Sequence, residues 1–270
     1  MLFVGRTSPF PPINVPVNQD SNPKTFYLAL PCYNEGERIA QFLPGLCTTI
    51  LKSDLSVQVQ IVDDGSDFLN QGLYRQLMEL LEPTFPFLLG PLTIDQNQGK
   101  GATVYKGWSE NQSADFLAFA DADGAVSPSE IVRVLKQIHD DPKAKTTLYA
   151  ASRIEDKETE VQRRAIRNIG GLTFRWLRKR LFSFPIEDTQ CGFKVVPASF
   201  FKKYDSRLTE PGFAFDLELL YRAKQEGLSM TEVPVTWADK KGGHMNFLNS
   251  VGLFKDLLRL KGRLDKEIGP

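Results

Sequence analysis

The sequence predicts an α/β fold in which helices flank a mostly parallel central sheet. Between Phe26 and Ser152, short apolar runs alternate with stretches of helical pattern, and this alternation is typical of parallel sheets built from strand–helix–strand units. Four of the apolar runs also end in acidic, amide or glycine-bearing segments. Because open α/β sheets bind ligands at the carboxyl ends of their strands, these segments contain the candidate functional residues.

The elements follow in order along the chain. Apolar runs predict strands at 27–30, 57–62, 88–94 and 116–120, and the patterns after them predict helices at 37–52, 73–81, 101–112 and 128–139. The fourth helix has a clear start, since Ser127 is a candidate N-cap, Pro128 suits the first helical position and Glu130 completes a capping box. Further strands are predicted at 195–196 and 230–237, with a helix at 215–225. Pro234 places the final strand at an edge or a bulge.

Composition narrows the class of protein. The 270 residues, 41% of them apolar, are enough for one sizeable domain, and the 33 basic and 33 acidic side chains cancel. A nucleic-acid binder would show a basic excess. Three cysteines without metal-like spacing, no long apolar run and no signal-peptide core predict a cytoplasmic protein without a transmembrane segment. We expect a proline-rich, poorly ordered arm at 1–24, one domain at 25–262 and a tail at 263–270.

Asp121 and Asp123 directly follow the apolar run 116–120. Side chains two residues apart on an extended segment point the same way, so both carboxylates can face one Mg²⁺ or Mn²⁺. Such an ion can also hold a diphosphate and stabilise the charge that develops on it as a leaving group. The pattern alone is weak, because a solvated turn after a strand has the same sequence.

Five short segments together resemble family 2 glycosyltransferases. They are residues 31–35, 62–66, 97–101, 121–123 and 188–194. The resemblance covers about residues 25–262 and is greatest to the polyprenyl-phosphate branch, the dolichyl-phosphate glucosyl- and mannosyltransferases. It implies the GT-A, nucleotide-diphospho-sugar transferase fold, with a nucleotide-sugar half at 25–125 and an acceptor half at 126–262.

The resemblance also implies an activity and a set of site residues. The expected reaction is inverting transfer of a hexose to a polyprenyl phosphate, with UDP-glucose favoured as donor and GDP-mannose as the alternative. The implied nucleotide-sugar contacts are Pro31, Tyr33, Asn34, Glu35, Asp63, Asp64, Lys100, Asp121 and Ala122. The implied ligands of a divalent cation are Asp121 and Asp123, with His244 as a further candidate. The implied catalytic residues are Asp188, Gln190 and Asp123.

The role of Asp188 depends on the acceptor. A hydroxyl acceptor needs a general base to remove its proton, and Asp188 would supply it. A phosphate monoester is already anionic, so with that acceptor Asp188 would orient the sugar or order its loop. A helix-capping aspartate is the third interpretation.

A basic stretch spans residues 163–180, with seven basic residues and no acidic one. On a helix its charges fall on one side and its apolar residues on the other. We expect Arg163, Arg164 and Arg167 to bind the acceptor phosphate, with the stretch lying at the membrane surface. A solvated helix face is the alternative.

Other functional classes stay open at this point. One is a glycosyltransferase with a hydroxyl acceptor, and another is a nucleotidyltransferase that attacks phosphorus. A third is a non-enzymatic module that binds a membrane or nucleic acid through the basic stretch. The balanced net charge and the ordered strand-end segments weigh against the third.

Overall fold

A seven-stranded sheet forms the centre of the protein. The computed structural model describes residues 23–154, 180–238 and 247–268. The strands are β1 (Thr25–Cys32), β2 (Ser56–Asp63), β3 (Leu88–Thr93), β4 (Phe116–Ala120), β5 (Thr147–Ile154), β6 (Phe193–Pro197) and β7 (Ser229–Thr236). They lie in the order β3-β2-β1-β4-β6-β5-β7. Only β6 runs antiparallel to its neighbours among these strands, which confirms the mostly parallel sheet.

Seven α-helices accompany the sheet within the described residues. They are α1 (Gly36–Leu51), α2 (Phe68–Leu81), α3 (Lys100–Glu110), α4 (Pro128–Asp140), α5 (Ala198–Tyr204), α6 (Phe215–Gln225) and α7 (Phe247–Ile268). The predicted helix at 73–81 begins too late, because α2 starts at Phe68. Its N-cap is Asp67, whose carboxylate accepts a hydrogen bond from the Asn70 amide at 2.9 Å.

The start of α4 agrees with the prediction at Ser127 and Pro128 but not at Glu130. Ser127 Oγ accepts a hydrogen bond from the Glu130 amide at 3.3 Å, and Pro128 takes the first helical position. The Glu130 carboxylate does not complete a capping box. It binds Arg133 at 2.8 Å and accepts from the Thr236 amide at 3.2 Å, so this side chain joins α4 to β7 instead.

The sheet separates two apolar cores. Ile39 of α1 and Ile131 of α4 belong to the core on one face, and Val104 of α3 and Phe201 of α5 belong to the core on the other. All five residues of β4 are buried, as expected for a strand covered on both faces. Helices on both faces leave the strand ends as the accessible edge of the sheet.

The long helix α7 is fixed by both apolar packing and charge. Leu257, Leu260 and Leu264 are buried in a third cluster with α6, and each is worth about 1.5–3 kcal/mol on burial. Arg263 of α7 binds the fully buried Glu218 of α6 at 2.8 Å. Because Arg263 of α7 reaches a carboxylate inside the protein, α7 packs as part of the same domain as α6.

Two further predictions concern the sheet edge and the membrane. Strand β7 is the outer strand of the sheet beside β5, which confirms the edge position inferred from Pro234. Among the described helices, none has both the length and the apolar character needed to cross a bilayer. Residues 1–22, which include most of the predicted proline-rich arm, lie outside the described part of the chain.

Candidate active site

Asp63 and Asp64 lie at the carboxyl end of β2 and have different surroundings. Both oxygens of Asp64 accept backbone hydrogen bonds, from Gln98 and Gly99 at 2.8 Å each. Asp64 therefore holds the turn at residues 97–101 in place. Asp63 Oδ1 accepts from the Ser66 amide at 3.0 Å, whereas its buried Oδ2 has no hydrogen-bond partner among the described residues. Of the two, Asp63 has the acceptor oxygen that a base N–H could use.

The loop after β1 is joined to the loop after β2 through Asn34. Its backbone has φ of 53°, a left-handed conformation that asparagine tolerates better than most residues. Asn34 Oδ1 accepts a hydrogen bond from the Asp67 amide at 2.9 Å, and the backbone N–H of Asn34 donates to Ser66 Oγ at 2.9 Å. The Asn34 side chain thus orders both loops at the predicted nucleotide site.

The other predicted residues of this loop differ in exposure. Pro31 lies within β1, opposite Val62. Tyr33 is 43% exposed and offers an accessible ring face, while the Glu35 carboxylate binds Arg38 at 2.9 Å. Of these three residues, Tyr33 is the one with an exposed aromatic face.

Lys100 begins α3 and points at Asp121. Its Nζ lies 2.5 Å from Asp121 Oδ1. The carbonyl of Pro211 accepts hydrogen bonds from the amides of Gly101 and Ala102 at 2.8 and 3.2 Å. Because a protein carbonyl already occupies these first amides of α3, the turn at 97–101 is not a phosphate-cradling helix terminus. Its contribution to the site is the Lys100 ammonium.

Asp121 and Asp123 stand beyond the end of β4, which stops at Ala120. Asp123 lies in a turn after the buried Ala122, so the expectation of an extended segment is wrong. The two carboxylates are nevertheless close enough to interact. Burial raises the pKa of Asp123, the Ala125 amide opposes that shift through a 2.9 Å hydrogen bond, and the charge of Asp121 adds to it.

The residues at this point suit a divalent ion that is shared with a ligand. Asp121 and Asp123 provide hard oxygen donors of the kind that Mg²⁺ and Mn²⁺ prefer. Within the described residues, no group of three acidic, histidine or cysteine side chains could hold a metal by itself. A diphosphate would therefore supply further oxygens. His244 lies outside the described residues.

Asp188 is held by a two-pronged ion pair that the sequence did not predict. Arg153, near the end of β5, binds it through Nε at 2.6 Å and through its terminal guanidinium nitrogen at 2.7 Å. The Glu232 carboxylate of β7 accepts hydrogen bonds from the backbone amides of Glu187 and Asp188, at 3.1 and 2.8 Å. Burial would raise the pKa of Asp188, but the hydrogen bonds and charge of Arg153 hold it below its usual value. The group is a weakened base with a fixed orientation.

The segment after Asp188 packs directly against Asp121. The carbonyl of Gly192 accepts a hydrogen bond from the Asp121 amide at 2.9 Å, and a Cβ at position 192 would lie 1.9 Å from Asp121 Oδ2. Only glycine allows this approach. The side-chain amide nitrogen of Gln190, Nε2, is buried without a hydrogen-bond partner among the described residues. The two predicted catalytic segments therefore meet at one place.

A buried ion pair lies beneath these segments, and its pairing was not predicted from the sequence. Lys194 of β6 is completely buried, and its Nζ lies 2.6 Å from Asp216 Oδ1 and 2.8 Å from the Cys191 carbonyl. A buried lysine is rare unless it is paired, and the lysine inside the apolar run 193–197 was the available signal. Arg163, Arg164 and Arg167 lie outside the described residues.

The solved structures show the fold. Glucosyl-3-phosphoglycerate synthase from Mycobacterium tuberculosis, solved with Mn²⁺, UDP-glucose and phosphoglyceric acid, superposes with a TM-score of 0.56 at 12% identity, over 88% of this chain and 80% of that chain. The fold is therefore that of the GT-A glycosyltransferases. The model of glycosyl transferase family 2 matches residues 27–205. The chain belongs to this family and is a glycosyltransferase.

Curated relatives are similar over most of the chain. A dolichyl-phosphate beta-glucosyltransferase from Dictyostelium discoideum is 30% identical over 256 residues, which are 91% of this chain and 77% of that protein. The Saccharomyces cerevisiae enzyme of the same name is 28% identical over 265 residues, 92% of this chain and 77% of that protein. A polyprenol monophosphomannose synthase from Mycolicibacterium smegmatis is 26% identical over 247 residues, 89% of each chain.

Proposed function

We propose that this enzyme transfers glucose from UDP-glucose to a polyprenyl phosphate with inversion at the anomeric carbon. An acceptor phosphate oxygen attacks that carbon, the new C–O bond forms as the bond to the nucleotide diphosphate breaks, and the diphosphate leaves with the electron pair. The names of the relatives support both the sugar and the acceptor class. GDP-mannose is the alternative donor, supported by the mannose synthase.

The ion pair of Asp188 is the observation that favours a phosphate acceptor. A hydroxyl acceptor would need a base able to take a proton. Arg153 holds the pKa of Asp188 below its usual value and occupies both of its oxygens, which is the opposite of what base catalysis requires. An anionic phosphate needs no such base. In this proposal Asp188 and Gln190 order the segment against Asp121.

The donor is assigned to the strand ends of the amino-terminal half, residues 25–125. Asp63 Oδ2 accepts the base N–H, and Tyr33 lies beside the base. Asp121 and Asp123 would hold a divalent ion, Mg²⁺ or Mn²⁺. When bound, that ion neutralises charge on the leaving diphosphate. Lys100 adds a positive charge at the same end of the site, where charge develops as the bond breaks.

The acceptor is assigned to the half that follows, residues 126–262. Arg163, Arg164 and Arg167 are the proposed contacts of the acceptor phosphate, since guanidinium groups match phosphate geometry. The basic stretch around them is also the proposed contact with an anionic membrane surface. Replacing all three arginines by glutamine should weaken binding to anionic vesicles, at about 1 kcal/mol for each charge.

One experiment tests donor and acceptor together. The purified protein is incubated with UDP-glucose, UDP-galactose or GDP-mannose, Mn²⁺, and either a short polyprenyl phosphate or the corresponding polyprenol, and the lipid fraction is analysed by mass spectrometry. We expect a hexosylated polyprenyl phosphate from UDP-glucose and no product from the polyprenol. Glycosylation of the alcohol, or transfer of a nucleotidyl group, would contradict the proposal and favour one of the other transferase classes.

A further inference from the structure

Lys100 lies among three carboxylates. Its Nζ is 2.5 Å from Asp121 Oδ1. Burial pulls the pKa of Lys100 down, but the charges of Asp121, Asp216 and Asp123 together raise it above its usual value. The ammonium also lies over the ring of Phe119, 5.3 Å from the centroid. The lysine therefore contacts one carboxylate of the donor site and feels the charge of another, Asp216, in the protein interior.

Asp216 has one cationic partner in the protein interior. It is 3% exposed, and its Oδ1 lies 2.6 Å from Lys194 Nζ, with no other polar partner for that oxygen among the described residues. The Lys194 ammonium contacts both Asp216 and the Cys191 carbonyl. A buried carboxylate in this state can accept a second cation.

The ring faces of Phe119 and Phe215 lie next to Lys100. Its Nζ is 5.3 Å from the first centroid and 5.9 Å from the second. Phe215 directly precedes Asp216 at the start of α6. Aromatic faces attract an ammonium group, so a path between the two carboxylates passes over favourable surfaces.

We propose that Asp216 is the second binding position of the Lys100 ammonium. In the free enzyme Lys100 neutralises Asp121, and when Asp121 and Asp123 hold the divalent ion of the donor, Lys100 turns to Asp216. Asp216 and Lys194 are then positioning residues that act on the donor site through Lys100. This inference rests on the proposed donor site at Asp121 and Asp123.

The physical reason is charge repulsion at Asp121. An ammonium and a divalent ion on the same carboxylate repel each other strongly at such distances. Without an alternative partner, Lys100 would compete with the divalent ion for Asp121. With Asp216 present, the lysine keeps a salt bridge in both states, and occupation of Asp121 by the donor's ion does not leave a buried ammonium unpaired.

A double-mutant cycle on Lys100 and Asp216 tests the inference. Mn²⁺ is titrated into UDP-saturated enzyme and the free ion is followed by electron paramagnetic resonance, so no turnover is needed. We expect Asp216→Asn to weaken Mn²⁺ binding about tenfold, in the usual range of coupling between sites. The same substitution made in a Lys100→Met background should change Mn²⁺ affinity less than about twofold, because the competing cation is gone.

Activity gives a second measurement. The Asp216→Asn variant should need more Mn²⁺ for half-maximal rate, and saturating Mn²⁺ should restore kcat, while Asp216→Glu should retain most of the parent's Mn²⁺ affinity. Glu218→Gln is the matched control, since Glu218 is also a buried acid of α6 but pairs with Arg263. It should lower thermal stability and leave Mn²⁺ affinity unchanged.

The outcomes separate this inference from the proposed function. Equal loss of Mn²⁺ affinity in both backgrounds would overturn it, because Asp216 would then act directly and not through Lys100. If the parent binds neither UDP nor Mn²⁺, the donor site itself is wrong. Should Asp216→Asn fail to fold with Lys194 unpaired, the Asp216→Asn/Lys194→Met pair replaces it in the same cycle, with the same expected and opposing results.

Discussion

Replacing Gly192 by alanine would push a methyl group into the Asp121 carboxylate. A Cβ at position 192 would lie 2.3 Å from Asp121 Cγ. Favourable carbon–carbon contact begins at about 3.5 Å, so the carboxylate would have to move by roughly 1.2 Å. The Asp121 amide is fixed to the Gly192 carbonyl, which leaves rotation of the Asp121 side chain as the main route of relief.

A displacement of this size has a predictable effect on rate. Misplacement of a group in an active site by about 1 Å can cost about 100-fold, which is about 2.7 kcal/mol in the activation barrier. We therefore expect Gly192→Ala to lower kcat/KM by about two orders of magnitude in the UDP-glucose and polyprenyl phosphate assay.

The control is a glycine with free space around it. A Cβ at Gly90 in β3 would meet no atom within 4 Å, so Gly90→Ala makes the same chemical change without a clash. It should keep the parent's activity. If Gly192→Ala folds with the parent's melting temperature and keeps its activity within a few fold, the reasoning about Asp121 is refuted.

Three further predictions concern other parts of the site. Asp123→Asn should keep the fold and lower turnover by at least about 100-fold, and EDTA should abolish activity of the parent; full activity in EDTA would exclude the metal. Asp64→Ala should lower the free energy of unfolding by about 1–3 kcal/mol in urea denaturation, because two amides lose their acceptor, whereas Asp63→Ala should mainly weaken UDP binding in calorimetry. The acid limb of kcat/KM should follow the acceptor phosphate, near pH ~6, and should persist in Asp188→Asn; loss of that limb would assign it to Asp188.

The depressed pKa of Asp188 also affects stability. A carboxyl group whose folded-state pKa lies below its unfolded-state value stabilises the fold above the unfolded-state pKa, about 3.9 for aspartate. That contribution is lost as the pH falls through the folded-state pKa. Arg153 is partly exposed, so solvent screens the pair and the effect should be small. Urea denaturation of the parent and Asp188→Asn between pH 7 and 3 measures it.

Local patterns explain why most elements were predictable. The runs that became β1 and β4 are apolar and bounded by polar residues, and the sheet buries them. Strand β2 alternates aliphatic residues with Gln58 and Gln60, and the sheet buries the aliphatic ones. The start of α2 was missed because Phe68 and Leu69, 84% and 72% exposed, do not look like the polar first turn of a helix. The cap at Asp67 was the signal that outweighed them.

Candidate site residues could be named from the sequence only where one short segment contains them. Asp121 and Asp123 stand in a short motif, and the structure places them at the sheet edge. Arg153 and Asp188 are separated by 35 residues, and they meet because β5 and Asp188 are both fixed next to β7. Such a contact depends on tertiary register, which composition and periodicity do not report.

The ion pair between Arg263 of α7 and Glu218 of α6 has a consequence for synthesis of the chain. Glu218 is buried in the finished fold, and its cationic partner Arg263 comes 45 residues later. At about 5–20 residues per second, a ribosome takes several seconds to make that stretch. During this interval Glu218 can keep the hydrogen bonds that the Thr209 and Glu210 amides donate to it, but the oxygen that binds Arg263 lacks its cationic partner. A nascent chain that stops before α7 should therefore hold α6 less firmly than the finished fold and be more open to chaperones.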